Sequence, residues 1–203
     1  QLMRRALQNL MLACTIVVAV WPSAHAAGEA SAYPIKPVRV VIGFSAGGVV
    51  DVSMRIIAQK LSDAWKQQVI ADNRPGAGAI IASENVARSP GDGYTVFSAD
   101  NGVLVYNPAL YRKLPYDAEK DFALVGMMGR SPLIITAAPN AGIADAKALL
   151  AALKASPGKY SYASYGTGTT SQFAGETILH TAGLKMTHVP YKGSAPAMTD
   201  LMG

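Results

Sequence analysis

The segment VRVVIGFSAGGVVDVSMR, at positions 38–55, changes its hydrophobic period near its middle, and this change restricts the fold more than any other feature of the chain. Positions 37–44 are apolar and rich in β-branched residues, which is typical of a strand buried on both faces of a sheet. Beyond the small residues at 45–48, apolar side chains recur every three or four positions up to about Trp65, which predicts a helix. We therefore predict a strand, a glycine turn and a helix in succession.

The same order of elements recurs along the chain. Positions 69–72 and 94–98 are predicted to be two further strands, and a helical pattern at 79–87 lies between them. A βαβαβ order favours a parallel sheet with helices on its faces, so the predicted fold class is α/β. Downstream, the same patterns predict strands at 122–128, 133–137, 160–164 and 186–189, and helices at 144–155, 171–182 and 195–202.

Residues 1–26 have the pattern of a secretory signal peptide. Arg4 and Arg5 precede an apolar run at 10–20, and the small-x-small sequence Ala24-His25-Ala26 then predicts cleavage after Ala26. The apolar run is shorter than the ~20 residues that a membrane span requires. The mature chain is therefore predicted to be exported and soluble.

Composition excludes several classes of protein. Cys14 is the only cysteine and lies in the signal segment, so the mature chain is expected to lack disulfides, cysteine nucleophiles and cysteine metal sites. Two of the 18 lysines and arginines also lie in that segment, which leaves 16 basic against 13 acidic residues and a net charge of +3. The remaining basic residues are scattered and form no stripe, which argues against a nucleic-acid partner.

The sequence contains none of the common catalytic motifs. It lacks the P-loop, the dinucleotide-binding fingerprint and the G-x-S-x-G nucleophile elbow. Beyond the signal segment the histidines are His180 and His188, which we interpret as structural residues, and no cluster of His, Asp and Glu suggests a metal site. We therefore predict no cofactor, no metal and no enzymatic activity.

Two glycine loops at predicted helix starts are suited to bind an anion. Residues 45–48 precede the first helix, and the run GTGTTS at 166–171, which adds hydroxyl donors, precedes a later one. A helix start presents unpaired N–H groups and the positive end of the helix dipole, so it attracts carboxylates and phosphates without a lysine. Each loop alone is equally consistent with a tight connection or an ordinary N-cap. Two such loops at the carboxyl ends of predicted parallel strands favour a ligand site, because open α/β sheets bind ligands there.

Six short motifs come in the order and spacing of one protein family. They are GFSAGGVVD at 43–51, NRPGAG at 73–78, DGYT at 92–95, NPALY at 107–111, LPYD at 114–117 and VPYKGSAPA at 189–197. In these motifs the chain resembles the Bug proteins, also called the TctC family, which are the periplasmic solute receptors of tripartite tricarboxylate transporters. The resemblance covers residues 33–203.

The resemblance implies a type II periplasmic binding-protein fold, in which two α/β lobes with mostly parallel sheets flanked by helices close on a ligand. Residues 27–125 would form the first lobe and residues 126–203 the second. Family members continue well beyond this point, so the second lobe is expected to be incomplete, with the C-terminal part missing. Such a chain would leave a sheet edge and apolar surface uncovered.

The resemblance also implies where the ligand binds. Family members hold a small carboxylate largely through backbone amides and ordered waters. In the first lobe the ligand-binding residues would be Ser45, Ala46, Gly47, Gly48 and Asp51, with Asn101 and Gly102 at the edge of the cleft. In the second lobe they would be Ser164, Gly166, Thr167, Gly168, Thr169, Thr170 and Ser171.

Several alternatives stay open at this point. Asp51 could cap the first helix, which we favour, or bind the ammonium group of an amino-acid ligand. Position 172 is glutamine where relatives often have histidine, so a ligand contact there is not assumed. The expected partners are a small organic acid and the permease subunits of a tripartite tricarboxylate transporter, in the periplasm. The alternative functions are a receptor that presents its ligand to a sensor kinase and an extracytoplasmic hydrolase.

Overall fold

Three parallel strands form the sheet in the first half of the described chain. In the computed structural model, which describes residues 33–203, they are β1 (Val38–Ile42), β2 (Val69–Asn73) and β3 (Thr95–Ser98). The strand order is β2-β1-β3, so β1 is hydrogen-bonded on both sides. The predicted signal peptide, residues 1–26, lies outside the described residues.

Helices follow the strands in the predicted alternation. Helix α1 (Val49–Trp65) lies between β1 and β2 in sequence, and α2 (Ile80–Ala87) lies between β2 and β3. A single 3₁₀ turn, Ala77–Ala79, precedes α2. After β3 the chain enters a π-helical turn, Gly102–Tyr106, that runs directly into α3 (Asn107–Leu110).

The central strand forms one side of the hydrophobic core. Val40 and Ile42 pack against Met54 and Ala58 of α1, and Val41 on the opposite face is 0% exposed. Burial of an aliphatic side chain of this size stabilises the folded state by about 1.5–3 kcal/mol. Burial on both faces explains why a largely apolar run, interrupted only by Arg39, predicted this strand correctly.

The second half of the described chain contains a smaller sheet. Strands β4 (Ser161–Ser164) and β5 (Thr187–Pro190) pair in parallel, with Ser164 opposite Pro190. The two strands therefore end at the same edge. The helices of this half are α4 (Ala146–Ala155), α5 (Thr170–Ala182) and α6 (Ser194–Met202), and a 3₁₀ turn at Pro139–Ala141 precedes α4. Among residues 33–203, no helix has both the length and the apolarity needed to cross a membrane.

The α/β prediction with parallel sheets is confirmed, and all but two of the predicted helices and strands are present, with boundaries that agree to within a few residues. The strands predicted at 122–128 and 133–137 are wrong, because both segments lack regular secondary structure. Apart from the partly buried Phe122, most of their large apolar side chains face solvent, for example Val125 at 91% and Ile134 at 79% exposed. β-propensity alone does not create a strand, because a strand also requires a neighbour whose backbone completes the ladder, and none of the described strands pairs with these segments.

This exposure predicts the effect of charged substitutions in the two segments. We expect the double variant Val125→Lys with Ile134→Lys to keep its free energy of unfolding within about 0.5 kcal/mol, because neither side chain is buried. It should also reduce concentration-dependent light scattering, because it breaks an exposed apolar surface. Urea unfolding and light scattering measure the two effects. The buried control Val41→Lys should unfold the chain, and an equal loss of stability in the double variant would show that the segments are packed.

Candidate functional site

The segments that follow four of the parallel strands surround a cavity of about 220 Å³. They are residues 43–44 after β1, 76–79 after β2, 165–167 after β4, and 190–192, which begin with the last residue of β5. Open parallel sheets bind ligands outside the carboxyl ends of their strands, because the backbone groups there are not used by the ladder. The cavity therefore lies where an α/β protein is expected to bind a small molecule.

The first glycine loop packs against the segment that follows β5. Both the backbone N–H and the hydroxyl of Ser45 donate to the carbonyl oxygen of Lys192, at 2.9 and 3.0 Å. A Cβ atom on Gly48 would lie 2.8 Å from the hydroxyl oxygen of Ser194, and one on Gly47 would lie 3.5 Å from the Cβ of Ala195. The starts of α1 and α6 therefore face each other closely, and residues 45–48 border the cavity without lining it.

The carboxylate of Asp51 makes its hydrogen bonds within the protein. It is 2% exposed, and its carboxylate accepts the N–H of Gly47 at 2.9 Å, Arg55 Nε at 3.0 Å and Asn73 Nδ2 at 2.9 Å. Burial raises the pKa of Asp51, but the hydrogen bonds from Arg55, Gly47 and Asn73 and the charge of Arg55 outweigh it, so the net pKa lies below its ordinary value. This geometry disfavours the ammonium-binding alternative, because the carboxylate already has three donors; the N–H that it accepts belongs to Gly47, before the N-cap Gly48, so the first-turn N–H groups of α1 stay uncapped.

The second glycine loop is held together largely by its own polar groups. The N–H of Gly168 donates to Gln172 Oε1 at 2.8 Å, and the hydroxyl of the fully buried Thr169 donates to the carbonyl oxygen of Gly166. The hydroxyl of Ser171 accepts the N–H of Tyr165 at 3.1 Å. The predicted hydroxyl donors of this loop thus stabilise its conformation, and of the predicted residues only Gly166 and Thr167 line the cavity.

The first turns of α1 and α5 keep their backbone N–H groups uncapped by side chains. Neither Gly48, the N-cap of α1, nor Thr169, the N-cap of α5, makes a side-chain capping bond. The first three N–H groups of a helix have no acceptor within the helix. At the start of α4, by contrast, the side chain of Asp145 accepts the N–H of Ala148. Two uncapped positive helix ends beside one cavity are suited to hold a carboxylate.

Gly102, which follows β3, lies against the second glycine loop. Asn101 is exposed, whereas Gly102 is buried and a Cβ on it would lie 3.3 Å from the carbonyl oxygen of Gly168. Burial raises the pKa of the neighbouring Asp100, although the N–H groups of Val103 and Gly102 oppose the shift. Within residues 33–203, no group of three or more His, Cys, Asp or Glu could hold a metal ion.

Of the four segments that line the cavity, only 165–167 contains residues that the sequence predicted to bind ligand; residues 43–44, 76–79 and 190–192 were missed. A Cβ atom on Gly78 would lie 2.2 Å from the carbonyl oxygen of Thr167, and one on Gly166 would lie 3.5 Å from the carbonyl oxygen of Tyr191. Each missed segment lies at or just beyond the carboxyl end of a parallel strand, as the two predicted glycine loops do. The same rule that placed the predicted loops at the ligand site would therefore have found them.

Comparison with known proteins gives consistent matches. The sequence profile of the tripartite tricarboxylate transporter family receptor, TctC, matches residues 53–203. A UPF0065 protein encoded in the tcbD-tcbE intergenic region of Pseudomonas sp. strain P51 is 37% identical over 199 residues, which are 98% of this chain and 57% of that protein. The chain thus spans little more than half the length of this relative.

Solved structures extend the likeness to the fold. The periplasmic binding protein BugD superposes with a TM-score of 0.72 at 30% identity, over 83% of this chain and 56% of BugD. MatC from Rhodopseudomonas palustris, solved with bound malate, superposes with a TM-score of 0.77 at 27% identity, over 83% of this chain and 57% of MatC. With the profile match over most of its length and these structural neighbours, the chain belongs to the TctC family of periplasmic solute-binding receptors.

Proposed function

We propose that this chain captures a small carboxylate in the periplasm for a tripartite tricarboxylate transporter. The observation that carries the proposal is the pair of uncapped helix starts, α1 and α5, beside a cavity at the carboxyl ends of the strands. The malate bound to the neighbour MatC supports a carboxylate as the ligand class. The cavity of about 220 Å³ is smaller than the ~300–1,000 Å³ of most ligand pockets, so it favours a small organic acid.

Binding in this proposal is passive and couples to closure of two lobes, residues 27–125 and 126–203. The contacts that would form on closure join the segments after β1 and β2 to those after β4 and β5. They include the hydrogen bonds of Ser45 to Lys192 and the approach of Gly78 to Thr167. A ligand favours the closed form only through contacts that it makes better there. The family match supports transporter subunits as the partner and gives no support to a sensor kinase.

Proline substitutions at the two helix starts test recognition by backbone amides. Val49 and Thr170 are the first residues of α1 and α5, and their preceding residues have the extended backbone that proline requires, with ψ of 169° and 162°. Val49→Pro and Thr170→Pro should therefore keep the fold while each removes one N–H. Because a hydrogen bond to a charged group contributes about 1.5–3 kcal/mol, we expect each variant to bind the carboxylate roughly tenfold or more weakly.

The measurement is the thermal shift of the chain with succinate, malate, adipate and citrate, since a bound ligand raises the unfolding temperature by mass action. Val49→Ala and Thr170→Ala are the matched controls, because they remove the same side chains and keep the N–H groups. Equal weakening by the alanine and proline variants would contradict amide recognition. Absence of any stabilisation by the four acids would contradict the carboxylate ligand class.

A further inference from the structure

A histidine outside the predicted ligand residues contacts, with its two ring nitrogens, the residues on either side of the second glycine loop. His188 lies on β5, and its Nε2 is 2.7 Å from the hydroxyl oxygen of Ser164, a side chain that is 2% exposed. Its Nδ1 lies 3.4 Å from Nε2 of Gln172 in the first turn of α5. The ring also stacks on Tyr162 of β4, with 4.9 Å between the ring centroids.

The hydrogen-bond network defines the proton position on this ring. The backbone N–H of Gly168 is a donor, so the atom of Gln172 that it meets at 2.8 Å must be the amide oxygen. The amide nitrogen of Gln172 then faces Nδ1 and donates to it, which requires an unprotonated Nδ1. The proton therefore sits on Nε2, which donates to the hydroxyl oxygen of Ser164.

Ser164 completes the network without a conflict. With Nε2–H as its donor, its own hydroxyl proton is directed to the carbonyl oxygen of Gly166 at 3.1 Å, and its oxygen also accepts the N–H of Gly166 at 3.2 Å. The alternative tautomer would place Nδ1–H against the amide protons of Gln172, two donors facing each other. The Nε2–H form of neutral His188 thus satisfies the hydrogen bonds to both Ser164 and Gln172, which flank the loop.

We propose that His188 is a positioning residue of the second glycine loop, which in its Nε2–H form orients Ser164 directly and fixes the N–H of Gly168 through Gln172. All contacts of this relay lie within the protein, and only its effect on affinity rests on the proposed function. Protonation of Nδ1 would oppose the Gln172 amide, and turning that amide would leave the Gly168 N–H without its acceptor. Acidification therefore releases the loop and weakens carboxylate binding.

The charged and titratable surroundings of the ring, within the described chain, agree with a neutral His188. Burial lowers the pKa of His188, and the charge of Glu176 on α5 opposes this shift. The hydroxyl of Tyr162 donates to Glu176, and burial together with this carboxylate raises the pKa of Tyr162, so the phenol stays protonated. The fold thus favours the uncharged ring, and the stability that this provides is lost as the pH falls below the ordinary histidine value of 6.5.

Nuclear magnetic resonance on the ¹⁵N-labelled full chain without ligand tests the relay. We expect the ring nitrogens of His188 to report the Nε2–H tautomer at neutral pH, and the Gly168 amide signal to move with the titration of His188. The exposed His180 is the reference in the same spectra. An Nδ1–H tautomer, or a Gly168 amide signal that does not shift as His188 titrates, would overturn the proposal.

Substitutions at position 172 sharpen the test. Gln172→Glu offers acceptors to both Gly168 N–H and a protonated Nδ1, so the pKa of His188 should rise by about one unit or more and the Gly168 signal should stop following it. Gln172→Met replaces the side chain with one of similar size that has no amide oxygen, so the Gly168 N–H should lack this acceptor at every pH. An unchanged histidine pKa in Gln172→Glu would contradict the relay.

Malate affinity measured against pH links the relay to binding. In the original chain, malate binding should weaken on acidification in step with the His188 titration. In Gln172→Glu, the part of the pH dependence that follows His188 should be absent. A chain that binds none of the carboxylates would contradict the proposed function and leave the resonance result to decide the relay alone. Binding that follows the same pH profile in both chains would overturn the role of His188 in positioning the loop.

Discussion

Replacing Asp51 with alanine should destabilise the chain by about 3 kcal/mol, since it removes the acceptor of three different donors at a buried position. The N–H of Gly47, the guanidinium of Arg55 and the amide of Asn73 all donate to this one carboxylate. Asn73 ends β2 and also donates to the carbonyl oxygen of Phe44, so the carboxylate joins the first glycine loop to the neighbouring strand. Without it, the start of α1 loses its connection to the sheet.

Urea unfolding of three variants separates the contributions. Asp51→Asn keeps one oxygen acceptor and should lose less stability than Asp51→Ala. Arg55→Met removes only the half-exposed partner, whose side chain is 51% exposed, and should cost about 1 kcal/mol or less. If Arg55→Met were as damaging as Asp51→Ala, the ion pair and not the buried hydrogen bonds would hold the loop.

The same carboxylate predicts how stability depends on pH. The folded-state pKa of Asp51 lies below its ordinary value of 3.8, so the folded chain holds the ionised form more firmly than the unfolded chain does. Its contribution to stability is complete above that ordinary value and is lost as the pH falls through the lower folded-state pKa. Asp51→Asn should lack this part of the acid dependence.

The sequence was sufficient to predict those elements whose pattern lies entirely within one continuous segment of the chain. The apolar run of β1 and the helical period of α1 predicted both elements, because burial on the central strand and on one helix face repeats locally along the chain. The loops after β1 and β4 were predicted for the same reason, since a glycine loop between a strand and a helix is a local pattern. Family resemblance then added the fold and the ligand class.

What the sequence did not predict depends on partners distant along the chain. Residues 122–128 have the composition of a strand, but strand formation requires a neighbouring ladder, and composition carries no information about that neighbour. The contact of Ser164 with His188 was missed for the same reason, because the two residues meet only after β5 has paired with β4. His188, interpreted from the sequence as a structural residue, has contacts that a histidine beside an apolar strand does not reveal.

The second large effect is expected at Gly78, where the segment after β2 meets the second glycine loop. A Cβ atom there would lie 2.2 Å from the carbonyl oxygen of Thr167, a backbone atom that cannot rotate away, and the backbone φ is +58°. Gly78→Ala therefore combines an unfavourable backbone with a steric clash. We expect a cost of about 1–2 kcal/mol from the positive φ and a further 1–3 kcal/mol from overpacking.

Gly142→Ala is the matched control, since Gly142 has a similar φ of +67° and a Cβ there would meet nothing within 4 Å. Urea unfolding of the two variants should therefore differ by the clash alone. Because Thr167 and Gly78 both line the cavity, relief of the clash must move the two segments apart, and the thermal shift with malate should be lost in Gly78→Ala and retained in Gly142→Ala. Equal stability of the two variants would show that the segments can separate at no cost. In that case the close approach of these strand ends would not be what encloses the ligand.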